Sequence, residues 1–458
     1  MSQIRMSALE LRASTSLAGI YSLRMFGMFL ILPIFALYAP QLRGGEDHML
    51  VGIALGAYGL TQAILQLPFG MLSDRIGRKR VIYIGLLLMA LGSLICASAN
   101  DIYTMILGRA VQGSGAISAA ITALLADLTR EEHRTKAMAM IGMSIGLTFA
   151  FSLAAGPTLY KTLTMPDIFV LIGVLSLAAL LGVWKIVPQP ALSRFHSDAE
   201  ANPTKLRDVL RDPQLLRLNY GIFALHAAQM AMFTVMPLIL LKTGGLDANH
   251  HWQVYLPIMV GAFILMIPAI IYGEKKAKLK QVFVAAVALM FVAQTGMALT
   301  LNSFWNIVIL LGGYFIAFNI LEATLPSLIS KIAPAAAKGT AIGVYNATQS
   351  FGTFLGGALG GYLYKHHGTS AVFAACGLLM LIWLLVAATM QPPPAVKTQM
   401  FHIGDNWQGD VRELSRKLGA LRGVKEAVVI AEEGVAYLKV LQSDWDEAGV
   451  LRLIQETN

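Results

Sequence analysis

The chain has 458 residues, of which 56% are hydrophobic and 13% charged, and its formal net charge is +9. A mean hydropathy of +0.63 excludes an ordinary water-soluble globular protein. The basic balance would suit a nucleic-acid binder, but the cations gather on one set of loops, which assigns them to membrane sidedness instead.

A helix that crosses a hydrocarbon core needs about 20 apolar residues. Twelve such spans are predicted, at 15–39, 49–72, 81–99, 103–127, 136–160, 167–187, 215–241, 252–273, 281–301, 304–331, 338–362 and 370–391. Their apolar runs are continuous rather than alternating, so helices are expected and a β-barrel is not. The first run is too long for a signal-peptide core and lacks a small-residue cleavage site, so a retained span is expected. The long run 281–321 is divided by a turn at Leu301–Asn306.

Loops after even-numbered spans carry Arg75, Arg78, Lys79 and Arg80, then Arg130, Arg134 and Lys136, then Arg194, Lys205, Arg207 and Arg211, then Lys275, Lys276, Lys278 and Lys280, then Lys338. The remaining loops hold only Arg43, Lys161, Lys242 and Lys365. The positive-inside rule makes the first set cytoplasmic and places both termini there. A polar, proline-punctuated linker at 188–214 separates six spans (1–187) from six spans (215–391), a common transporter plan with the substrate site between the halves. Residues 395–458 are expected to form a separate cytoplasmic domain. Cys96 and Cys376 both sit in apolar runs; no disulfide framework, metal site or cofactor is expected.

Charges inside spans are rare and mark functional candidates. Arg24 lies in span 1, Arg109 in span 4 and Glu322 in span 10. An intramembrane Arg costs roughly 2.5–3.5 kcal/mol to insert, so polar partners are expected around it. Glu322 is the acidic residue deepest in any span and a candidate protonatable carboxyl, since burial penalises its charged form. A permanent ion pair with Arg24 is the alternative. His226 in span 7 is a further proton-coupling candidate, or a packing residue. Tyr21, Gln62, Gln66, Gln112, Asn319, Asn346 and Gln349 are candidate cavity-lining groups. The glycines of "GTFLGGALGGYL" in span 11 read as a close packing surface, where the span 2–3 loop would dock.

Between spans 2 and 3 the chain reads "GMLSDRIGRKR". Asp74 can accept backbone N–H bonds or pair with an Arg, and Arg78 can reach a carboxylate on a neighbouring helix. Asp127 ends span 4, about five turns beyond Arg109. Gly70-x-Leu72-x-Asp74-Arg75-x-Gly77-Arg78-Lys79 resembles the signature loop of the major facilitator superfamily, and "LGRAVQGSGAI" around Arg109, Gln112, Gly113 and Gly115 is similar to that family's second motif. The resemblance covers about 15–391 and implies a major facilitator fold of twelve helices in two six-helix halves. It implies proton transfer at Arg109, against which stands a structural hydrogen-bonding hub. It also implies a latch, Asp127 with Arg78 and Asp74 against the second half, closing the cytoplasmic side of the outward-facing state; the alternative is that Asp127 merely ends a helix.

Span 5 holds Gly142, Gly146, Gly156 and Pro157, and its "AAGP" resembles part of the family's antiporter motif. Tyr160 and Lys161 stand where the family continues with a glycine pair. The resemblance points to a drug/proton antiporter: a non-enzymatic, monomeric exporter of small amphipathic compounds in the bacterial inner membrane, with protons and the lipid bilayer as partners and no nucleic acid. A proton-coupled symporter or facilitator of a polar solute, with the tail as regulatory sensor, shares every motif but the Gly-Pro. A channel lacks a visible polar pore face, and an enzyme lacks a phosphate-binding Gly-x4-Gly-Lys-Ser/Thr loop or a nucleophile constellation.

After Gln391–Pro394, a stiff exit, a β-α-β-β-α order is expected. Its elements are a strand near 398–404, a helix through Val411, Leu414, Leu418 and Leu421, and a buried strand at 428–430. After a turn at Glu432-Glu433-Gly434, Ala436, Leu438 and Val440 form a half-buried strand, and a last helix is capped by Ser443-Asp444. The pattern resembles a ferredoxin-like, heavy-metal-associated α+β domain, but without cysteines, so capture of a soft metal is excluded.

Overall fold

The computed structural model describes residues 6–190, 200–334, 337–392, 396–404, 409–431, 434–441 and 444–457. Arg194, Pro393, Pro394, Glu432, Glu433 and Ser443 lie outside them. Helix α1 (Ala8–Leu30) opens on a capping box: the Ser7 hydroxyl accepts the Glu10 N–H, and the Glu10 carboxylate accepts the Ser7 N–H at 2.7 Å, satisfying donors that a helix start leaves over. The chain breaks at Ile31–Ile34, where Pro33 has no N–H to give the ladder. Short α2 (Phe35–Tyr38) and a 3-10 turn continue the path at 41°. Asp47 caps α3 (His48–Ile76). Gly77, with φ of +99° in a region that favours glycine, turns the chain straight into α4 (Arg78–Ala97).

The predicted fourth span is two helices. Asp101 caps α5 (Ile102–Ser114), and α6 (Ser118–Asp127) starts after a non-helical Gly115–Ile117. The run Gly113-Ser114-Gly115 is poor in helix propensity. Then follow α7 (Glu131–Tyr160) and α8 (Met165–Lys185), and in the linker one turn, α9 (Leu206–Val209). Next come α10 (Pro213–Lys242), α11 (Trp252–Lys275), α12 (Leu279–Thr300) and α13 (Phe304–Ile332), the last two joined at the predicted turn. Helix α14 (Lys338–Ala388) is 51 residues long and contains a non-helical Gly368 at φ 77°, ψ −173°. Among the described residues nine helices are long and apolar enough to cross a membrane, or ten if α1 and α2 form one bent span. The count differs from the predicted twelve because span 4 is broken and spans 11 and 12 run together through Gly368. The fold is mostly helical and polytopic.

Helix α14 is the centre of the packing, against α3, α10 and α12, while α4 lies on α5 and α8, and α1 on α7. The α14 glycines divide between two neighbours: Gly352, Gly356 and Gly360 press on α10, and Gly357 and Gly361 on α3. The span 2–3 loop does not dock there. It faces Gly339 and Gly343, at the start of α14.

The last residues form β1 (Val396–His402), α15 (Val411–Gly419), β2 (Val424–Ile430), β3 (Val435–Leu441) and α16 (Glu447–Thr457), an antiparallel sheet of order β1-β3-β2. This is the expected element order, with three corrections. Strand β3 is buried on both faces, not one. Ala436, Leu438 and Val440 lie under Leu414, Leu418, Val450 and Ile454, whereas Val435 and Tyr437 pack with Met400 on the other face. Lys439 Nζ on β3 donates to the Ala333 carbonyl just past α13 at 2.8 Å, and Arg134 Nη1 of α7 lies 3.8 Å from Met400 Sδ. Contact with α7 and α13 thus covers the face that the alternation predicts to be wet. Strand β2, expected buried, is half-buried at an edge of the sheet. Asp444, expected in the cap of α16, pairs with Arg422, while Asp446 accepts the Gly449 N–H at 2.9 Å.

Candidate functional site

Three polar clusters and one seal lie along the helices. The first is at the basic end. Arg78, at the N-terminus of α4, is 4% exposed and bonds Ser73 Oγ at 3.0 Å and Asp74. Its Nε lies 3.4 Å from Asp127 Oδ2 at the end of α6, and its Nη2 donates to Glu200 Oε1 at 2.7 Å. The predicted Arg78–Asp127 pair therefore forms. Asp74, expected against the second half, turns to Arg78 instead, because the two sit one helical turn apart across Gly77. The contact that reaches α14 comes from Glu200 of the linker. Its backbone lies on Gly339, where any Cβ would collide with it, and Asn202 exchanges hydrogen bonds with Thr340. Sequence reasoning missed Glu200, which is one of four acids in the linker with no pattern to mark it out. Gly70 packs on Ala119 and Leu72 on the neighbouring apolar cluster, while Lys79 Nζ ties down the Val187 carbonyl at 2.7 Å and Arg75 is exposed.

The second cluster lies deeper, among α1, α3, α4 and the α5–α6 break. Arg109 Nη1 donates to Gln112 Oε1 at 2.7 Å, and Gln112 Nε2 donates to Ser93 Oγ at 2.8 Å. Arg24 Nη2 donates to the Gly115 carbonyl at 2.8 Å and approaches Gln62 Oε1 at 3.4 Å. The Tyr58 ring lies beside both guanidiniums, 5.6 Å from that of Arg24 and 5.2 Å from that of Arg109. Ser118 donates to Gln66 Oε1 at 2.9 Å, and Tyr21 is buried nearby on α1. Tyr58 and Ser118 were not singled out in the sequence, being ordinary residues of apolar runs.

The third cluster lies on α10, α13 and α14. His226 Nδ1 donates to the Ile222 carbonyl at 3.3 Å, and its Nε2 accepts from Gln349 Nε2 at 2.7 Å. That pattern corresponds to a neutral imidazole with its proton on Nδ1. Glu322 Oε2 lies 3.7 Å from the same Nε2, and the Glu322 side chain is 36% exposed. Its Oε2 is buried there without a hydrogen-bond partner, and Arg24 bonds Gly115 and Gln62 instead, so the alternative Arg24–Glu322 pair does not form. Phe318 lies 6.0 Å from His226 and 5.6 Å from Phe149 of α7, giving the carboxyl an aromatic surround. Asn319 bonds its own helix at Phe315, and Asn346 lines a cavity with Gln66 nearer the basic end. Of the antiporter-like group, Gly156 presses on the Leu30 carbonyl at the α1 break, Gly146 faces Phe263 of α11, and Pro157 lies inside α7.

The seal is at the opposite end. Asp47 bonds Lys365 Nζ at 2.7 Å, and His48 meets the Tyr364 ring at 4.5 Å. Below them α3 and α14 touch backbone to backbone. A Cβ on Gly56 would stand 2.8 Å from the Phe354 oxygen, and one on Gly52 would run into the Gly357 carbonyl. Lys365 holds the Asp47 carboxyl below the usual carboxylate range. A lowered value means the pair contributes above the free carboxyl's range and is lost as pH falls through the lowered one. Closure of this end should therefore be flat from about pH 5 to 8 and weaken only below about pH 4. With both side chains about a third exposed, Lys365→Met should change thiol accessibility at this end less than about fivefold.

Compared with known proteins, the chain matches the family model described as Major Facilitator Superfamily over residues 17–354 and 278–417. It is 44% identical over 441 residues to the inner membrane transport protein YajR of Escherichia coli (strain K12), covering 96% of each chain. It is 23% identical over 392 residues to the quinolone resistance protein NorA of Staphylococcus aureus, covering 81% of this chain and 95% of that one. Among solved structures it is similar, at a TM-score of 0.67 and 13% identity, to a bacterial homolog of the human lysosomal transporter Spinster in an inward-facing and occupied conformation. That match covers 84% of this chain and 98% of the other.

Proposed function

The chain belongs to the major facilitator superfamily of membrane transporters, and from that premise we propose that it is a proton-coupled exporter of small amphipathic compounds working by alternating access. The observation that carries this reading is Glu322, an acid within an apolar helix whose Oε2 is buried without a hydrogen-bond partner, 3.7 Å from Nε2 of His226. Nε2 of His226 already accepts from Gln349, so the Glu322 carboxyl, with no cation beside it, is the group suited to take up a proton and release it as the cavity changes sides. The likeness to an inner membrane transport protein and to a quinolone resistance protein supports an inner-membrane location and export.

In this reading α5 and α6 are one broken span and α14 is two, giving twelve in two halves, with the basic end and both termini cytoplasmic. Residues 395–458 form a cytoplasmic module set against both halves through Arg134 and Ala333. Arg109 and Gln112 act as a hub that fixes the broken span.

The test uses proteoliposomes enclosing a pH-sensitive dye and a panel of amphipathic compounds of positive, negative and zero charge. Protons moving against an imposed solute gradient support antiport; protons moving with it, or none moving, overturn the reading. The latch has its own test. Arg78→Gln leaves three buried or half-buried carboxylates facing one another, whereas Asp127→Asn leaves Arg78 two acidic partners. Arg78→Gln should therefore shift spin-label distances between the basic ends of α3 and α14 towards separation, by about tenfold or more in population. Asp127→Asn should shift them by less than about threefold, and equal effects would contradict the shared-cation arrangement.

A further inference from the structure

We propose that the α5–α6 break is an anion-binding site, built for the carboxylate or phosphoryl group of a small organic anion. The site rests on the transport reading above and names its substrate class. Its basis is a charge imbalance. Arg24 is 0% exposed, yet its Nε and Nη1 have no hydrogen-bond partner, and the hydroxyl of Tyr58 is likewise buried and unpartnered. Arg109, 1% exposed, gives its bonds to Gln112 and to the Ala54 and Leu55 carbonyls. Among the described residues neither guanidinium is paired with a carboxylate. The acids of the adjoining helices all lie at helix ends and are engaged there: Asp47 with Lys365, Asp101 with Thr104, and Asp74 and Asp127 with Arg78. Two cations thus stand at one Tyr ring inside the bundle with no counter-charge. Buried charge of that kind is costly unless a partner arrives.

The break supplies the second half of the site. Helix α6 is ten residues long and begins in the interior of a span, so its first-turn N–H groups and the positive end of its dipole face inward. Arg24 is bonded to the Gly115 carbonyl, three residues before Ser118, so its unpartnered N–H groups lie beside the start of α6. The unsatisfied groups are donors, which selects an anion over a cation or a neutral solute. A broken helix that turns its N-terminal end to an anionic group is a recurrent transporter device. Gln66, which takes the Ser118 hydroxyl, also lines the cavity of about 40 Å³ at the Arg78, Asp74 and Glu200 cluster, on the basic-end side of the break.

The experiment is calorimetric titration of the full chain in detergent with benzoate, benzylphosphonate, benzylamine, benzyl alcohol and inorganic phosphate. Benzoate and benzylphosphonate are expected to bind, and the amine and alcohol to bind at least about tenfold more weakly. Arg24→Gln, checked for folding by thermal unfolding, should weaken both anions by about tenfold or more. If that variant fails to fold, Arg24→Lys, which keeps the charge but loses the fork, should still weaken benzylphosphonate several-fold. Equal binding of benzylamine and benzoate, or anion binding unchanged by the Arg24 variants, overturns the site. Inorganic phosphate binding as tightly as benzylphosphonate overturns its assignment to an organic anion. Because binding is read without proton flux, these outcomes are separate from the fate of the Glu322 assignment.

Discussion

Glu322→Gln is expected to abolish solute-driven proton movement in proteoliposomes, by at least about 100-fold, while the chain still folds. The substitution keeps the shape of the side chain and removes only its ability to lose a proton. It should be tolerated because the buried Oε2 has no hydrogen-bond partner for the amide to lose. The loss should be severe because no other acid is at hand: His226 spends Nδ1 on the Ile222 carbonyl and Nε2 on Gln349. A glutamine mimics the protonated state permanently, so solute exchange without net proton movement should persist. His226→Gln should have a smaller effect, since it removes the neighbour and not the titrating group. Intact, dye-detected proton movement in Glu322→Gln would sink the assignment.

Gly52→Val should hold the sealed end open. The α3–α14 contact is built from glycines whose missing side chains let the backbones meet, and even a single Cβ at Gly52 would strike the Gly357 carbonyl. Backbone cannot swing away as a flexible side chain can. Overpacking of this kind costs about 1–3 kcal/mol, which corresponds to a shift of roughly fivefold to 150-fold between sealed and open populations. A cysteine placed at Tyr364 should become correspondingly more reactive to a membrane-impermeant thiol reagent. The Asp47–Lys365 bridge cannot compensate, because a pair that is about a third exposed contributes less than the strain. An unchanged rate would show that α3 and α14 stay together through the transport cycle.

The two expected results differ in how far the residues themselves announced them. Glu322 stands out in the sequence as an acid inside an apolar run, because charge in hydrocarbon is costly enough to require a reason. The same physics makes Arg24 and Arg109 legible, and the Gly70–Lys79 spacing carries the family resemblance. The partners were not legible. Glu200 belongs to a linker with no periodic pattern, and its meeting with Arg78 across 122 positions depends on how that linker lies on Gly339. Which glycine of α14 faces α3 and which faces α10 likewise depends on helix rotation, about which a run of apolar residues is silent.

Strand β3 shows the same division in the tail. Its alternation correctly placed Ala436, Leu438 and Val440 in a core, but an alternating pattern cannot report that the other face is covered by something distant in the chain. Composition and hydrophobic run length by themselves determined that this is a polytopic helical membrane protein with a small α+β tail, since apolar length and period act locally and add along the chain. Only the tertiary structure decided that span 4 is broken beside Arg24, that Glu322 meets His226 instead of Arg24, and that the carboxylate reaching α14 is Glu200. Those are contacts between segments tens to hundreds of residues apart, set by helix rotation and close backbone approach, and no local pattern encodes them.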